Sequence, residues 1–99
     1  MKVKISTVLL GIQGEELKAE SGHKLLLKDI MINAILTPIQ DDKEQQKWLK
    51  YEIFKKIRDA KDIVELTVED VSLIKKAIGK LSPPLIYGQC VELIEGIKE

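Results

Sequence analysis

The stretch LSPPLIYGQCVELIEG, residues 81–96, places two prolines directly before an apolar run and a glycine inside it. Proline breaks a helix interior, because it removes a hydrogen bond and clashes with the preceding turn. In the first turn its missing N–H costs nothing. Ser82 is a good N-cap, Pro83 fits the first helical position, and Pro84 still lies within the first turn. The prolines are therefore read as starting a helix. Leu85, Ile86, Cys90, Val91, Leu93, Ile94 and Ile97 then cover more than one face, which predicts burial on two sides. Gly88 costs ~1 kcal/mol against Ala in a helix interior, so a close approach of another backbone is expected there.

The same reading extends backwards from this helix. Thr67 followed by Asp70 resembles a capping box, with Val71, Ile74 and Ile78 as the core stripe of a helix ending near Gly79, a residue suited to a left-handed C-terminal cap. KDIVELTVED, residues 61–70, begins as a short extended link. The longest helix runs from an N-cap at Asp41 or Asp42 to Ala60. Its stripe is Leu49, Ile53, Ile57 and Ala60, broadened by Trp48 and Phe54. Its opposite face carries Lys43, Lys47, Lys50 and Lys61. LLLKDIMINAILTP, residues 25–38, shows helical spacing at Leu26 or Leu27, Ile30, Met31, Ala34 and Ile35. Thr37-Pro38 ends it. No side chain suited to capping stands at its start.

Before residue 25 the period changes. Val3, Ile5, Thr7 and Leu9 alternate with Lys2, Lys4 and Ser6, which is strand periodicity. Gly11 and Gly14 suit a hairpin turn, Glu16 to Ala19 a return strand, and Gly22 a second turn. No internal repeat is apparent. The expected fold is α+β and mostly α: an N-terminal β-hairpin or small meander (residues 1–24) followed by about four short helices (residues 25–99), all in one domain spanning residues 1–99.

Composition limits what such a domain does. Hydrophobic residues make up 44% of the chain and charged residues 32%, which fits a globular chain rather than a disordered one. The aromatics are only Trp48, Tyr51, Phe54 and Tyr87, so the core is aliphatic. Trp48 is expected in it. The formal net charge is zero, distributed as about +1 over residues 1–40, +2 over 41–61 and −3 over 62–99. Arg58 is the only arginine, against fifteen lysines. That scarcity disfavours base reading in DNA. No apolar run approaches the ~18 residues that span a bilayer. The N-terminus has the Lys pair of a signal peptide, but Ser6, Thr7 and Gly11 break its apolar stretch. A cytoplasmic location is expected.

Four phrases carry a resemblance: VLLGIQGEEL, LKDIMINAIL, ELTVEDVSLIKKAIGK and, most distinctively, PPLIYGQCVELIE. Together they resemble a group of small bacteriophage and prophage accessory proteins. The resemblance implies a virus-encoded accessory protein working in the host cytoplasm. It implies no catalytic residues.

The residues themselves argue against catalysis. His23, the only histidine, lies in a glycine turn. Cys90, the only cysteine, lies in an apolar helix where a thiol is inert, and one Cys with one His cannot build a metal site. Asp41-Asp42 and Glu69-Asp70 open helices, where carboxylates complement the dipole. No metal and no cofactor is expected. The expected function is a non-enzymatic protein–protein interaction or accessory role, with self-association and a host or phage protein as partners. The alternative is a nucleic-acid-associated factor using the lysine face of residues 43–61, which the five acids of residues 41–61 make less favoured. No membrane partner is expected. Lys43, Lys47, Lys50 and Tyr51 on the long helix, with Ile86, Val91 and Leu93 on the last, form the candidate interaction surface. A homodimer through the last helix is expected, because the apolar positions there exceed one stripe.

Overall fold

The computed structural model describes residues 2–38 and 43–95. In chain order it contains β1 (Lys2–Lys4), α1 (Leu27–Leu36), α2 (Glu44–Asp59), β2 (Ile63–Glu65), α3 (Val68–Leu81) and α4 (Pro84–Glu95). The architecture is α+β and mostly α. The partner of β1 is β2: the two pair antiparallel, with Lys2 opposite Glu65, Val3 opposite Val64 and Lys4 opposite Ile63. The Ile5 N–H extends the ladder to the Asp62 carbonyl at 2.8 Å. The segment expected as a short extended link thus supplies the second strand. Three residues are too short to display a period of two, which is why the pattern hid it. Val3, Ile5, Val64 and Leu66 turn inward and are buried.

Residues 8–26 form a small closed ring of three extended pieces. Single antiparallel bridges join Leu10 to Glu16, Lys18 to Lys24, and Leu26 back to Val8. At its centre Leu9, Leu17 and Leu25 share three backbone hydrogen bonds: Leu17 N–H donates to Leu9, Leu25 to Leu17, and Leu9 to Leu25, at 2.9–3.0 Å. The two turns are alike. Gly14 N–H donates to the Gly11 carbonyl and Gly22 N–H to the Ala19 carbonyl, while Gly11 and Ala19 N–H groups donate to Glu15 and His23 carbonyls. Gly14 and Gly22 have φ of +83° and +93°, a region that only glycine enters cheaply. The chain therefore does contain a repeat, of eight residues, in which Leu9, Leu17 and Leu25 match and so do Gly14 and Gly22. It spans about two units, too few to stand out from ordinary turn composition.

The ring and β1 together explain the start of α1, where sequence offered no cap. Leu27 N–H donates to the Thr7 carbonyl and Lys28 N–H to the Ile5 carbonyl, both at 2.9 Å. The Asp29 carboxylate accepts from Leu26 N–H at 2.9 Å. The orphan donors of the first turn are satisfied by distant backbone and one local carboxylate. Leu27, Met31, Ala34 and Ile35 then enter the core, and α1 packs against both α2 and α3.

In α2 the buried side chains are Lys50, Ile53 and Ile57. Nothing before Lys50 is buried, so the first two turns of the helix stand off the core. This corrects two expectations. Trp48 and Leu49 are 60% and 42% exposed, and Lys50, assigned to the polar face, is 6% exposed. Lys43 occupies the N-cap position; Asp41 and Asp42 lie outside the described residues. The capping box of α3 is present, with Asp70 N–H donating to Thr67 Oγ1 and Thr67 N–H to the Asp70 carboxylate, each at 3.1 Å. Lys56 Nζ reaches the same carboxylate at 2.8 Å and ties α2 to α3.

The α3–α4 corner differs from expectation by one or two residues. Helix α3 continues through Gly79 to Leu81, and Ser82 is its C-cap, donating its N–H to the Ile78 carbonyl at 2.9 Å. Helix α4 begins at Pro84; the Pro83 carbonyl accepts its first helical bond, from Tyr87 N–H. The prolines do start the helix, one residue later than expected. Cys90 and Ile94 are buried, while Leu85 and Tyr87 are exposed, so α4 buries one side rather than two. Its packing partners are α3 and β1. Gly88 has nothing within 4 Å of where a Cβ would stand, which removes the close approach expected there. Ile97 lies outside the described residues.

Candidate functional site

The sequence-selected residues separate into two surfaces. On the first, Lys47, Lys50 and Tyr51 of α2 meet the end of α1 and line a groove of about 260 Å³ with Ile35, Leu36, Thr37 and Pro38. Lys43 is exposed at the start of the same helix. On the second, Ile86, Val91 and Leu93 of α4 are each half-buried. Ile86 and Leu93 pack on the main core, so α4 has already spent much of their apolar area within its own chain.

The first surface owes its shape to where α1 stops. Thr37 closes that helix by returning both its N–H (3.1 Å) and its hydroxyl (2.6 Å) to the Asn33 carbonyl. The exposed Leu36 is left at the lip. The early turns of α2 carry Tyr51, which lines the groove, and Trp48, one turn before it. Their rings lie 5.8 Å apart at 44°, and Phe54 continues the row 6.4 Å from Tyr51. Lys55 Nζ sits 5.0 Å above the Tyr51 ring and 5.9 Å from that of Trp48, and Arg58 lies 5.5 Å from the Phe54 ring. Three of four aromatics thus form one row at i, i+3, i+6, with cations over it. Tyr51 was among the sequence candidates; Trp48 was assigned to the core, although the same spacing places it beside Tyr51.

The lysine face is interrupted by acids. Lys55 pairs with Glu52 at 3.0 Å, Lys56 with Asp70 at 2.8 Å, and Arg58 with Asp59 at 3.1 Å. Lys50 lies with its stem inside, along the last turn of α1, which has no basic residue of its own. A cation there complements the negative end of the helix dipole.

A second groove, about 410 Å³, runs between the ring of residues 8–26 and α4. Leu10, Ile12, Leu85 and Leu93 are among its walls. Gln89 holds it together. Its amide oxygen accepts Leu10 N–H at 2.9 Å and its amide nitrogen donates to the Leu10 carbonyl at 2.6 Å, as a neighbouring strand would. Sequence reasoning passed over Gln89, since a lone polar residue in an apolar helix has no signature.

The titratable groups have structural environments. Cys90 is fully buried, and burial pushes its thiol up to about 11. His23 is exposed in its turn and contacts the Ser21 hydroxyl. For Asp70 burial acts to raise the carboxyl, but hydrogen bonds from Lys56 and Thr67 and the Lys56 charge outweigh it and hold the group below the usual range. Among the described residues no group of three or more His, Cys, Asp or Glu could hold a metal ion, and no helix is long and apolar enough to cross a membrane. Comparison with protein-family models, curated proteins and solved structures found no match to the chain.

Proposed function

We propose that the chain is a non-enzymatic, phage-encoded accessory protein that works by binding other proteins, with the exposed face of α2 and the adjoining end of α1 as its docking surface. One observation carries the reading. In a chain with four aromatics, Trp48 and Tyr51 stand 60% and 46% exposed beside an apolar groove. Trp and Tyr anchor interfaces because they bury much area at little entropic cost. The phage assignment rests on the resemblance of the closing segment PPLIYGQCVELIE. The buried, protonated thiol of Cys90 and the exposed turn of His23 support the non-enzymatic part.

Self-association belongs to the same reading and uses the second groove, where Leu10, Ile12 and Leu85 are exposed together. The nucleic-acid alternative is less well supported, since Lys55, Lys56 and Arg58 each stand beside a carboxylate and phosphate binding needs unopposed cations.

The test is a partner screen in infected cells with a tagged chain and a Trp48→Ala, Tyr51→Ala double variant. Partners retained by the chain and lost by the folded variant support the reading. Equal capture by both rejects the α2 surface. Sedimentation equilibrium separates an 11.2 kDa monomer from a dimer.

A further inference from the structure

The groove between the ring of residues 8–26 and α4 is bounded on one side by a strand edge, and that edge specifies what fits beside it. We infer that this groove captures an extended segment of a partner protein, which adds as a strand along residues 8–10 and sets a Lys or Arg opposite Glu92. The inference rests on the reading of the chain as a protein-binding module, and it uses a face separate from α2.

The backbone supplies the first argument. Val8 bridges Leu26 and Leu10 bridges Glu16, and in both bridges the hydrogen bonds are made by the residues on either side. In such a pair each residue's own N–H and C=O point away from its partner. Val8 and Leu10 are two apart on one extended piece, so their outward groups lie along one edge, and both residues line the groove. The Leu10 pair is filled by the Gln89 amide, at 2.9 and 2.6 Å. That side-chain amide is chemically a peptide group, standing where the backbone of a neighbouring strand would stand. The Val8 N–H and C=O make no hydrogen bond among the described residues. At Leu26 the equivalent pair is closed by Asp29, through its carboxylate and its own N–H. The edge at residues 8–10 is thus half-filled by a stand-in. A peptide main chain fits it by strand addition, with pockets beside the edge taking alternate side chains. Leu10, Ile12, Leu85 and Leu93 give the groove apolar walls.

Charge supplies the second. Glu92 is the only charged residue among those described in the lining. It is exposed and has no ion-pair partner among the described residues. The next acid of α4, Glu95, is held by Lys75. No basic residue stands in the last turn of α4, and the end of a helix carries a partial negative charge of ~0.5. A basic residue in the captured segment meets this charge, and an acidic one is repelled. Residues 7–14 contain no cation, so the same edge of a second copy lacks the complementary charge. Self-association through this groove and capture of a segment exclude each other.

The experiment selects peptides of about twelve residues, long enough for one added strand, from a random display library on the full chain. Expected peptides carry alternate apolar residues and a Lys or Arg, and they protect the Val8 and Leu10 amides from hydrogen exchange. N-methylation of the peptide at alternate amides weakens binding about tenfold per lost hydrogen bond, and N-methylation of the amides between them does not. Glu92→Lys, at an exposed position, binds about tenfold more weakly, and peptides with Glu in place of the basic residue regain affinity for it. Gln89→Ala, which clears the stand-in, binds more tightly, with circular dichroism verifying that both variants are folded. Failure to select any peptide that protects Val8 and Leu10 overturns the inference, as does indifference to every N-methyl group or to Glu92→Lys. Unchanged or weaker binding by Gln89→Ala also overturns it. The Trp48→Ala, Tyr51→Ala variant separates the two faces: peptides lost with it sit on α2 and overturn strand capture while the α2 surface stands. A peptide that binds and leaves a dimer intact supports the edge and rejects only self-association through it.

Discussion

Gly79 of α3 faces the ring of Tyr87 in α4 so closely that a Cβ on Gly79 would lie 3.2 Å from the ring's Cε1. Gly88, one residue beyond Tyr87, faces open space. Both glycines are helical, so both weaken their helix to a similar degree, and only one is required by packing. Gly88→Ala is expected to stabilise the fold by ~1 kcal/mol, the propensity difference. Gly79→Ala has the same propensity gain but must displace the half-exposed Tyr87 ring, and its gain should be clearly smaller. Placing Gly79→Ala in a Tyr87→Ala background should restore it. Urea denaturation of the four variants reads this directly, and equal gains at the two glycines would reject the close packing.

Asp70 gives the fold an acid-sensitive tie. Its carboxylate accepts from Thr67 and Lys56 in the native state and its proton affinity is lowered there. The unfolded chain therefore binds the proton more readily. The contribution is fully present above ~3.9, the ordinary carboxyl value, and is lost as pH falls through the lower native value. Asp70→Asn should flatten the acid limb of stability against pH relative to the parent chain. Thr67→Ala, which removes the hydroxyl cap, should cost ~1 kcal/mol at neutral pH. An unchanged acid limb in Asp70→Asn would show that other carboxylates dominate.

Trp48 and Ile57 lie on the same helix and should answer mutation differently. Trp48→Ala removes a 60% exposed side chain, and stability is expected to stay within ~0.5 kcal/mol. Ile57→Ala empties a fully buried site and is expected to cost ~2–5 kcal/mol. Acrylamide should quench Trp48 readily in the native protein. A large loss of stability with Trp48→Ala would return that residue to the core.

Cys90 should be unreactive while the chain is folded. A thiol pushed up to about 11 by burial remains protonated at pH 8, and the thiolate is the reacting form. Thiol reagents should label it at the rate of unfolding and immediately in denaturant. Fast labelling of the native state would place the sulfur at the surface.

The four helices were legible because each is long enough to show a period of 3.6, and three carry a strong boundary signal: Thr37-Pro38 ends α1, Thr67 with Asp70 opens α3, and the paired prolines open α4. The rest was hidden for physical reasons. A three-residue strand has no period, so nothing in Ile63-Val64-Glu65 announced β1 as its partner. The start of α1 is capped by the carbonyls of Ile5 and Thr7, and carbonyls are common to every residue. On α2, period alone could not tell which side of the early turns meets the end of α1, and so it sent Trp48 inward and Lys50 outward. Tyr51 was found as a candidate by residue type; the groove beside it depends on where α1 ends in space.

The pairing of β1 with β2 also orders events in time. Residues 2–4 are synthesised about sixty residues ahead of 63–65. Until Glu65 has emerged from the ribosome, β1 has no strand to join, and Ile5, whose carbonyl caps Lys28, is not yet fixed by Asp62. The first turn of α1 thus waits on a segment translated after α1 and α2. A long loop must close before that contact yields any stability. Nascent chains arrested with residue 65 still in the exit tunnel should lack amide protection at Leu27 and Lys28, and chains arrested with β2 fully outside should gain it.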